Sequence, residues 1–227
     1  MFRLDERLAL CAEFVREGAR LADVGTDHAY LPVWLACNGK IISAVACDVR
    51  VKPLENAKTN IYKYHAENIV STALSDGLDN ISPDLADDIV FAGMGGELIA
   101  KIIMRTQWLR DGNKRLILQP MSRADTLRLF LCENGFHIQQ EKACISSGKS
   151  YSVMLCVYDG IKRNCSDIFK YTGLLENDNS HEAKRYIYVI NDKLKKKLRG
   201  FDQNSDEYKK LYQTVSHLDI LSEGATL

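Results

Sequence analysis

The stretch RLADVGTDHAYLPVWLAC (20–37) sets the architecture: an apolar strand at 20–24, a loop at 25–29 opened by Gly25, and a helix at 31–37 closed by Asn38-Gly39. The same unit then repeats. A second strand at 41–47 ends on Asp48, and Pro53 falls in the first turn of the following helix, where a fixed φ and a missing N–H are harmless. Strands follow at 69–73, 88–92 and 115–119, separated by helical segments that include 97–104 and 124–134. Ahead of the first strand, Leu4, Leu8, Cys11, Ala12 and Val15 recur at steps of three and four and predict an amphipathic helix over 4–17, ended by Gly18.

Strands alternating with helices imply a mainly parallel sheet covered on both faces. The last two strands, 136–145 and 151–158, meet across a polar turn at 146–150 with no helix between them. A parallel pair would need a longer crossover, so this pair is expected to be antiparallel. The fold class is therefore α/β, a Rossmann-like seven-stranded sheet with a terminal antiparallel pair. After Gly160 the pattern changes. Residues 177–180 read as a linker with Ser180 as a helix cap, Tyr186, Val189, Ile190, Leu194 and Leu198 line one helical face, and Tyr208, Leu211, Tyr212, Val215 and Leu218 line another across a turn at 200–205. These predict a C-terminal antiparallel helical hairpin.

The chain has 227 residues, 46% of them hydrophobic, and 30 basic residues balance 30 acidic ones. This composition excludes a disordered or fibrous chain. Net neutrality speaks against a polyanion partner for the chain as a whole, yet between Lys184 and Arg199 seven basic residues face Asp192 alone. Seven cysteines, an odd number without a CxxC pair, argue against a disulfide framework and a zinc site. The scattered His65, His137, His181 and His217 share no ligand spacing, so no metal is expected. No apolar run approaches a membrane span, and charges at Asp5, Glu6 and Arg7 break the layout of a secretory signal, so the expected location is the cytoplasm.

In open α/β sheets, ligands bind at the carboxyl ends of the strands. There the first loop carries Asp23, Gly25, Asp27 and His28, the second Asp48, the third Asp76-Gly77 and the fourth Gly93-Met94-Gly95-Gly96. The first lacks G-x-G-x-x-G spacing and its acids would repel a pyrophosphate, which disfavours a dinucleotide. A cationic ligand such as S-adenosylmethionine fits, with Asp48 placed to accept hydrogen bonds from ribose hydroxyls. The fourth loop has no polar side chain for an exocyclic amine. Alkylation of a ring nitrogen needs none, because adenine N1 has a free lone pair and no proton to lose. His28 either orients Asp27 or packs under its loop.

The segments DVGTDHAYLP (23–32), SDGL (75–78), AGMGGELI (92–99) and LILQP (116–120), with ENGF (133–136) and GKSY (148–151), together closely resemble the bacterial tRNA (adenine-22, N1)-methyltransferase family, TrmK. The resemblance covers about residues 4–158 and extends to the helical tail. It implies a class I methyltransferase domain over 1–160 that binds S-adenosyl-L-methionine, and a coiled-coil-like helical unit over 161–227 that contacts tRNA. Carried over by position, Asp23, Gly25, Asp27 and His28 belong to the methionine side of the cofactor site, Asp48 to the ribose, Asp76 and Gly77 to the adenine, and Gly93, Met94 and Gly95 to the methyl-donor end. Gln119 and Pro120 lie on the substrate side, where Met121 replaces the asparagine common in relatives. Asp27 is the candidate for offsetting the charge of the methylated product. Given a tRNA substrate, Lys184, Arg185, Lys193, Lys195, Lys196, Lys197 and Arg199 become phosphate contacts. The alternatives are a non-catalytic RNA-binding protein that retains the fold, and a methyltransferase for another substrate.

Overall fold

The computed structural model describes residues 2–224; Met1 and the final three residues, at the outer ends of the two expected units, lie outside the described residues. Seven strands, β1 (Ala19–Val24), β2 (Ile41–Asp48), β3 (Val70–Leu74), β4 (Asp88–Gly95), β5 (Arg115–Ser122), β6 (Phe136–Ser146) and β7 (Lys149–Tyr158), form one sheet in the order β3-β2-β1-β4-β5-β7-β6. The first five run parallel, and β7 is antiparallel to both β5 and β6.

Alternation along the strands feeds two cores. Leu21, Ala44 and Ala46 point to the face covered by α1 (Glu6–Phe14), α2 (Tyr30–Cys37) and α3 (Val51–Lys63); Ala22, Val45 and Cys47 point to the face covered by α4 (Gly96–Arg105) and α5 (Ala124–Glu133). This is the pattern expected of strands buried on both sides.

The first helix is shorter than the 4–17 the sequence predicts. Asp5 caps it, accepting a hydrogen bond from the Leu8 N–H at 2.9 Å, an arrangement that contributes about 1 kcal/mol. Leu4 and Val15 are buried but lie outside the helix, so their apolar character follows core contact rather than helical period. The β6–β7 turn is also tighter than 146–150: its two central residues, Ser147 and Gly148, have φ of 49° and 76°, and both strands run up to them.

The linker expected at 177–180 is irregular from 178 to 180, but the segment between Gly160 and it holds elements that the sequence did not indicate. A short helix α6 (Asp167–Thr172) and a 3-10 turn at Gly173–Asn177 precede α7 (His181–Leu198) and α8 (Asp206–Leu221). Ser180 and Ser205 cap the last two helices. These pack as an antiparallel pair around Ile187, Leu194, Leu211, Val215 and Leu218, and Asn191 Nδ2 donates to Asp219 Oδ1 at 2.8 Å across the interface. The α7 helix also rests on β6 and β7, which places the hairpin beside the carboxyl end of β5.

Candidate cofactor and nucleic-acid site

The strand order reverses between β1 and β4, and the loops at their carboxyl ends meet there. The N–H groups of Gly25 and Thr26 both donate to the Cys47 carbonyl, at 2.8 and 2.9 Å, which ties the first loop to the end of β2. Ser75 N–H donates to the Asp48 carbonyl at 3.0 Å and brings the third loop alongside. Gly25 has φ +77°, and a Cβ there would sit 2.9 Å from the Met94 sulfur, so the first and fourth loops touch. Only glycine satisfies both the backbone and the space at this position.

Asp23 and Asp48 are each 7% exposed. Burial pushes the Asp23 carboxyl up to about 6, against a hydrogen bond from Thr26 that pulls it down. The Asp48 carboxylate accepts from the Arg50 N–H at 2.8 Å and faces its guanidinium at 3.3 Å. Asp27 is largely exposed, with His28 Nε2 3.3 Å from its carboxylate, while the His28 ring stacks on Tyr30 at 5.2 Å. His28 thus lies against both Asp27 and Tyr30. Asn60, reaching from α3 to the His28 carbonyl at 2.9 Å, holds this loop from below.

Asp76 does not stand free. Arg105, from the last turn of α4, donates to its carboxylate at 2.7 Å and lies 3.1 Å from Asp79, and the hydrogen bond from Arg105 holds the Asp76 carboxyl below the usual carboxylate range. Gly77 is buried, with its carbonyl accepting from the Cys47 thiol. Gly93 is exposed, has φ +83° and has open space where a side chain would lie, whereas Gly96 is packed against the backbone carbonyls of Ser122 and Arg123.

Gln119 departs from its expected role. It is fully buried, its Oε1 accepts from the Gly93 N–H at 3.0 Å and from Arg7 at 3.2 Å, and its Nε2 donates to the Pro120 carbonyl. With its amide spent internally, Gln119 ties the end of β5 to the backbone of the loop at Gly93. Pro120 is buried as well, yet it lines an open cleft. Arg7 went unnoticed in the sequence: it also donates to the Met121 sulfur and lies over the Tyr151 ring at 5.4 Å, joining α1 to the substrate side. Beyond its ion pair with Asp5, no local signal marks it, because Gln119 and Met121 are more than a hundred residues away.

The basic run on α7 divides by face. Lys195 pairs with Asp219 and Lys196 with Asp192. Lys193 and Lys197 line the cleft beside Pro120. Arg185 reaches the Gly148 carbonyl at 3.4 Å and supports the β6–β7 turn; Lys184 lies next to it, and Arg199 closes the helix. Among the described residues no cluster of His, Cys, Asp or Glu could hold a metal ion, and no helix is long and apolar enough to cross a membrane.

A further cavity of about 410 Å³, lined by Leu4, Trp34 and Lys40, lies beside the amino end of β2. Strand-end acids and glycines do not reach it, so it is not part of the candidate site.

The fit to S-adenosylmethionine rests on these groups. Asp48 presents buried acceptor oxygens for vicinal hydroxyls, Asp23 is an acid whose ionised form a nearby cation favours, and Gly93 leaves bare backbone beside the gap.

Comparison with known proteins gives the same picture. A methyltransferase domain family matches residues 4–154. The tRNA (adenine(22)-N(1))-methyltransferase of Bacillus subtilis is 36% identical over 166 residues, 70% of either chain. The crystal structure of the B. subtilis m1A22 tRNA methyltransferase TrmK superposes with a TM-score of 0.83 at 28% identity, covering 98% of this chain and 100% of that one. A Streptococcus pneumoniae protein in complex with S-adenosyl-L-methionine superposes with a TM-score of 0.80 at 32% identity, covering 97% and 100%.

Proposed function

The chain belongs to the tRNA (adenine(22)-N(1))-methyltransferase family, and we propose accordingly that it transfers a methyl group from S-adenosyl-L-methionine to N1 of adenine 22 in tRNA. The observation that carries this reading is the convergence of loops at the β1/β4 switch point, where Gly25 is bonded to Cys47, the residue before Asp48, and lies against Met94, next to a cleft bordered by α7.

When bound, the cofactor supplies an electrophilic methyl group on a sulfonium. The chain's task is to bind, orient and desolvate. Asp48 receives the ribose hydroxyls, and the first loop, pinned to Cys47 and Asn60, holds the methionine portion beside Asp23. Gln119 fixes the Gly93 N–H and with it the backbone of the donor loop. Adenine N1 would use its own lone pair as the sulfur–methyl bond gives way and leaves a neutral thioether, so no residue need act as general base, and the positive charge would pass from the sulfonium to the adenine ring. Asp27 is the candidate to offset that charge; its exposure screens the effect. N1 of a paired adenine lies inside the base pair, so the target must turn out of its stack.

In this reading the α/β unit to residue 160 performs the transfer, the helical unit after it holds the tRNA, and the substrate makes the cytoplasm the working compartment. The test is direct: purified protein, labelled cofactor and unmodified tRNA, with product nucleosides separated. N1-methyladenosine forms with a tRNA carrying adenine 22 and not with its guanine-22 variant. Absence of that product from every adenine-22 tRNA overturns the function.

A further inference from the structure

A cleft of about 500 Å³ opens between the ends of β5 and β7 and the flank of α7. Pro120 and Met121 form one wall, Ser150 and Tyr151 a second, and Ile190 and Lys193 the third. Its volume falls within the range of sites that enclose small molecules, roughly 300–1,000 Å³.

We propose that this cleft receives the target adenosine, turned out of its stack, while Lys193 and Lys197 hold the phosphates on either side of it. The proposal rests on the tRNA reading above and gives that reading a location.

Five observations converge on it. The cleft adjoins the donor loop: Ser122 on its wall is the register partner of Gly95, and the Ser122 hydroxyl lies 3.4 Å from where a Gly95 Cβ would sit. Its lining suits a purine, with the rings of Tyr151, Tyr171 and Tyr186 beside the apolar Met121 and Ile190. The Ser150 hydroxyl is buried at its edge with no hydrogen-bond partner among the described residues, an uncompensated group that a base edge or ribose hydroxyl would satisfy.

The charges are also sorted. Lys193 and Lys197 stand one helical turn apart, both exposed and both free of ion pairs among the described residues, whereas Lys195 and Lys196 on other faces are held by Asp219 and Asp192. Asp125, the one acid on the cleft lining among the described residues, is 3.3 Å from Arg123. Finally, Arg7 joins the Tyr151 ring to Gln119, and Gln119 holds Gly93, so an occupant of the cleft would rest against the same network that sets the donor loop.

Two paired experiments test the assignment, each with thermal melting to verify folding. Lys193→Gln with Lys197→Gln is compared with Lys195→Gln with Lys196→Gln, two changes of equal charge. The cleft pair should lower the slope of log tRNA affinity against log salt by about two, and the other pair by less than one. Equal slopes for the two pairs overturn the phosphate assignment. Ile190→Trp, which fills the cleft, should lower kcat at least about tenfold while tRNA affinity stays within about threefold and cofactor affinity is unchanged. A Trp variant that turns over like wild type overturns the base assignment, as does one that loses tRNA affinity in proportion to activity. Failure of wild type to methylate any tRNA is a different result, because it removes the function and not only the cleft.

Discussion

Arg128 and Glu141 face each other at 2.6 Å with both side chains fully buried, and between them they fasten the helical tail to the sheet. Arg128 donates also to the carbonyls of Lys170 and Tyr171 and to the Tyr186 hydroxyl, and Glu141 accepts from the Leu174 N–H. Burial works against the guanidinium's charge, and the Glu141 carboxylate more than offsets it, leaving the Arg128 pKa above its ordinary value. A Cβ on Gly173 would fall inside this pair, 1.8 Å from a Glu141 oxygen.

Breaking the pair from one side strands a buried charge. Glu141→Ala should cost about 3–5 kcal/mol in urea denaturation, whereas Arg128→Met with Glu141→Leu should cost clearly less than Glu141→Ala alone. Additive losses in the double variant would mean that the pair itself, rather than the stranded partner, dominates.

Asp48 gives a binding prediction. Asp48→Ala should raise the dissociation constant for S-adenosylmethionine or its product about tenfold to a hundredfold by calorimetry, the cost of losing charge-assisted hydrogen bonds to hydroxyls. Since Asp48 also accepts from the Arg50 N–H, Asp48→Asn separates that structural bond from the ligand contact by keeping an acceptor in place. An unchanged constant in both variants would place the ribose elsewhere.

Asp23 predicts a pH dependence. Its folded pKa, about 6, stands above the ordinary 3.8, so the folded state binds the proton more tightly than the unfolded one. The associated stabilisation is complete below 3.8 and is lost as pH rises through about 6. Relative to Asp23→Asn, the wild type should therefore lose up to about 3 kcal/mol between pH 4 and roughly 7, read from denaturant midpoints across that range. Parallel curves would show that the carboxyl ionises without penalty.

Gly96 offers a packing test. A Cβ there would lie 2.3 Å from the Arg123 carbonyl oxygen, a backbone atom that cannot rotate away. Gly96→Ala should destabilise by about 1–3 kcal/mol and slow turnover, since α4 starts directly after the donor loop. Gly93→Ala meets open space but forces a side chain into φ +83°, so its cost should come from the backbone alone.

Asp27→Asn should lower kcat less than about tenfold and leave KM for tRNA unchanged, because water screens a carboxylate this exposed. A loss of a hundredfold or more would assign Asp27 direct contact with the reacting base.

Much of the fold was legible because strand and helix periods alternate cleanly from Arg20 to Glu133, and because the short link between the last two strands leaves antiparallel pairing as the available geometry. The tail was less legible: α6 is too short to show a helical period, and the residues after it form a 3-10 turn. Leu4 and Val15 lengthened the first helix on paper, since burial looks the same in sequence whether a residue is helical or not. In the site, the acids and glycines at strand ends could be read from position alone. The pairing of Asp76 with Arg105 and the inward turn of Gln119 could not, because both depend on partners brought in by other elements. The basic run showed its charge but not its sidedness: acids on α7 and α8 engage Lys195 and Lys196 and leave Lys193 and Lys197 without an ion pair among the described residues.

The strand order carries a consequence for how the chain is made. The first strand of the sheet in chain order, β1, lies in its interior, so β2 and then β3 can add on one flank while β4 and then β5 add on the other, each meeting an edge already present. The exception is β6, whose sheet neighbour β7 is synthesised after it. It must wait, and the tight Ser147-Gly148 turn shortens the wait by letting the two strands close on each other as a hairpin before β7 joins β5. The wall of the cleft that carries Ser150 and Tyr151 thus lies on the last strand of the sheet in chain order, and α7 packs against that strand and its hairpin partner β6.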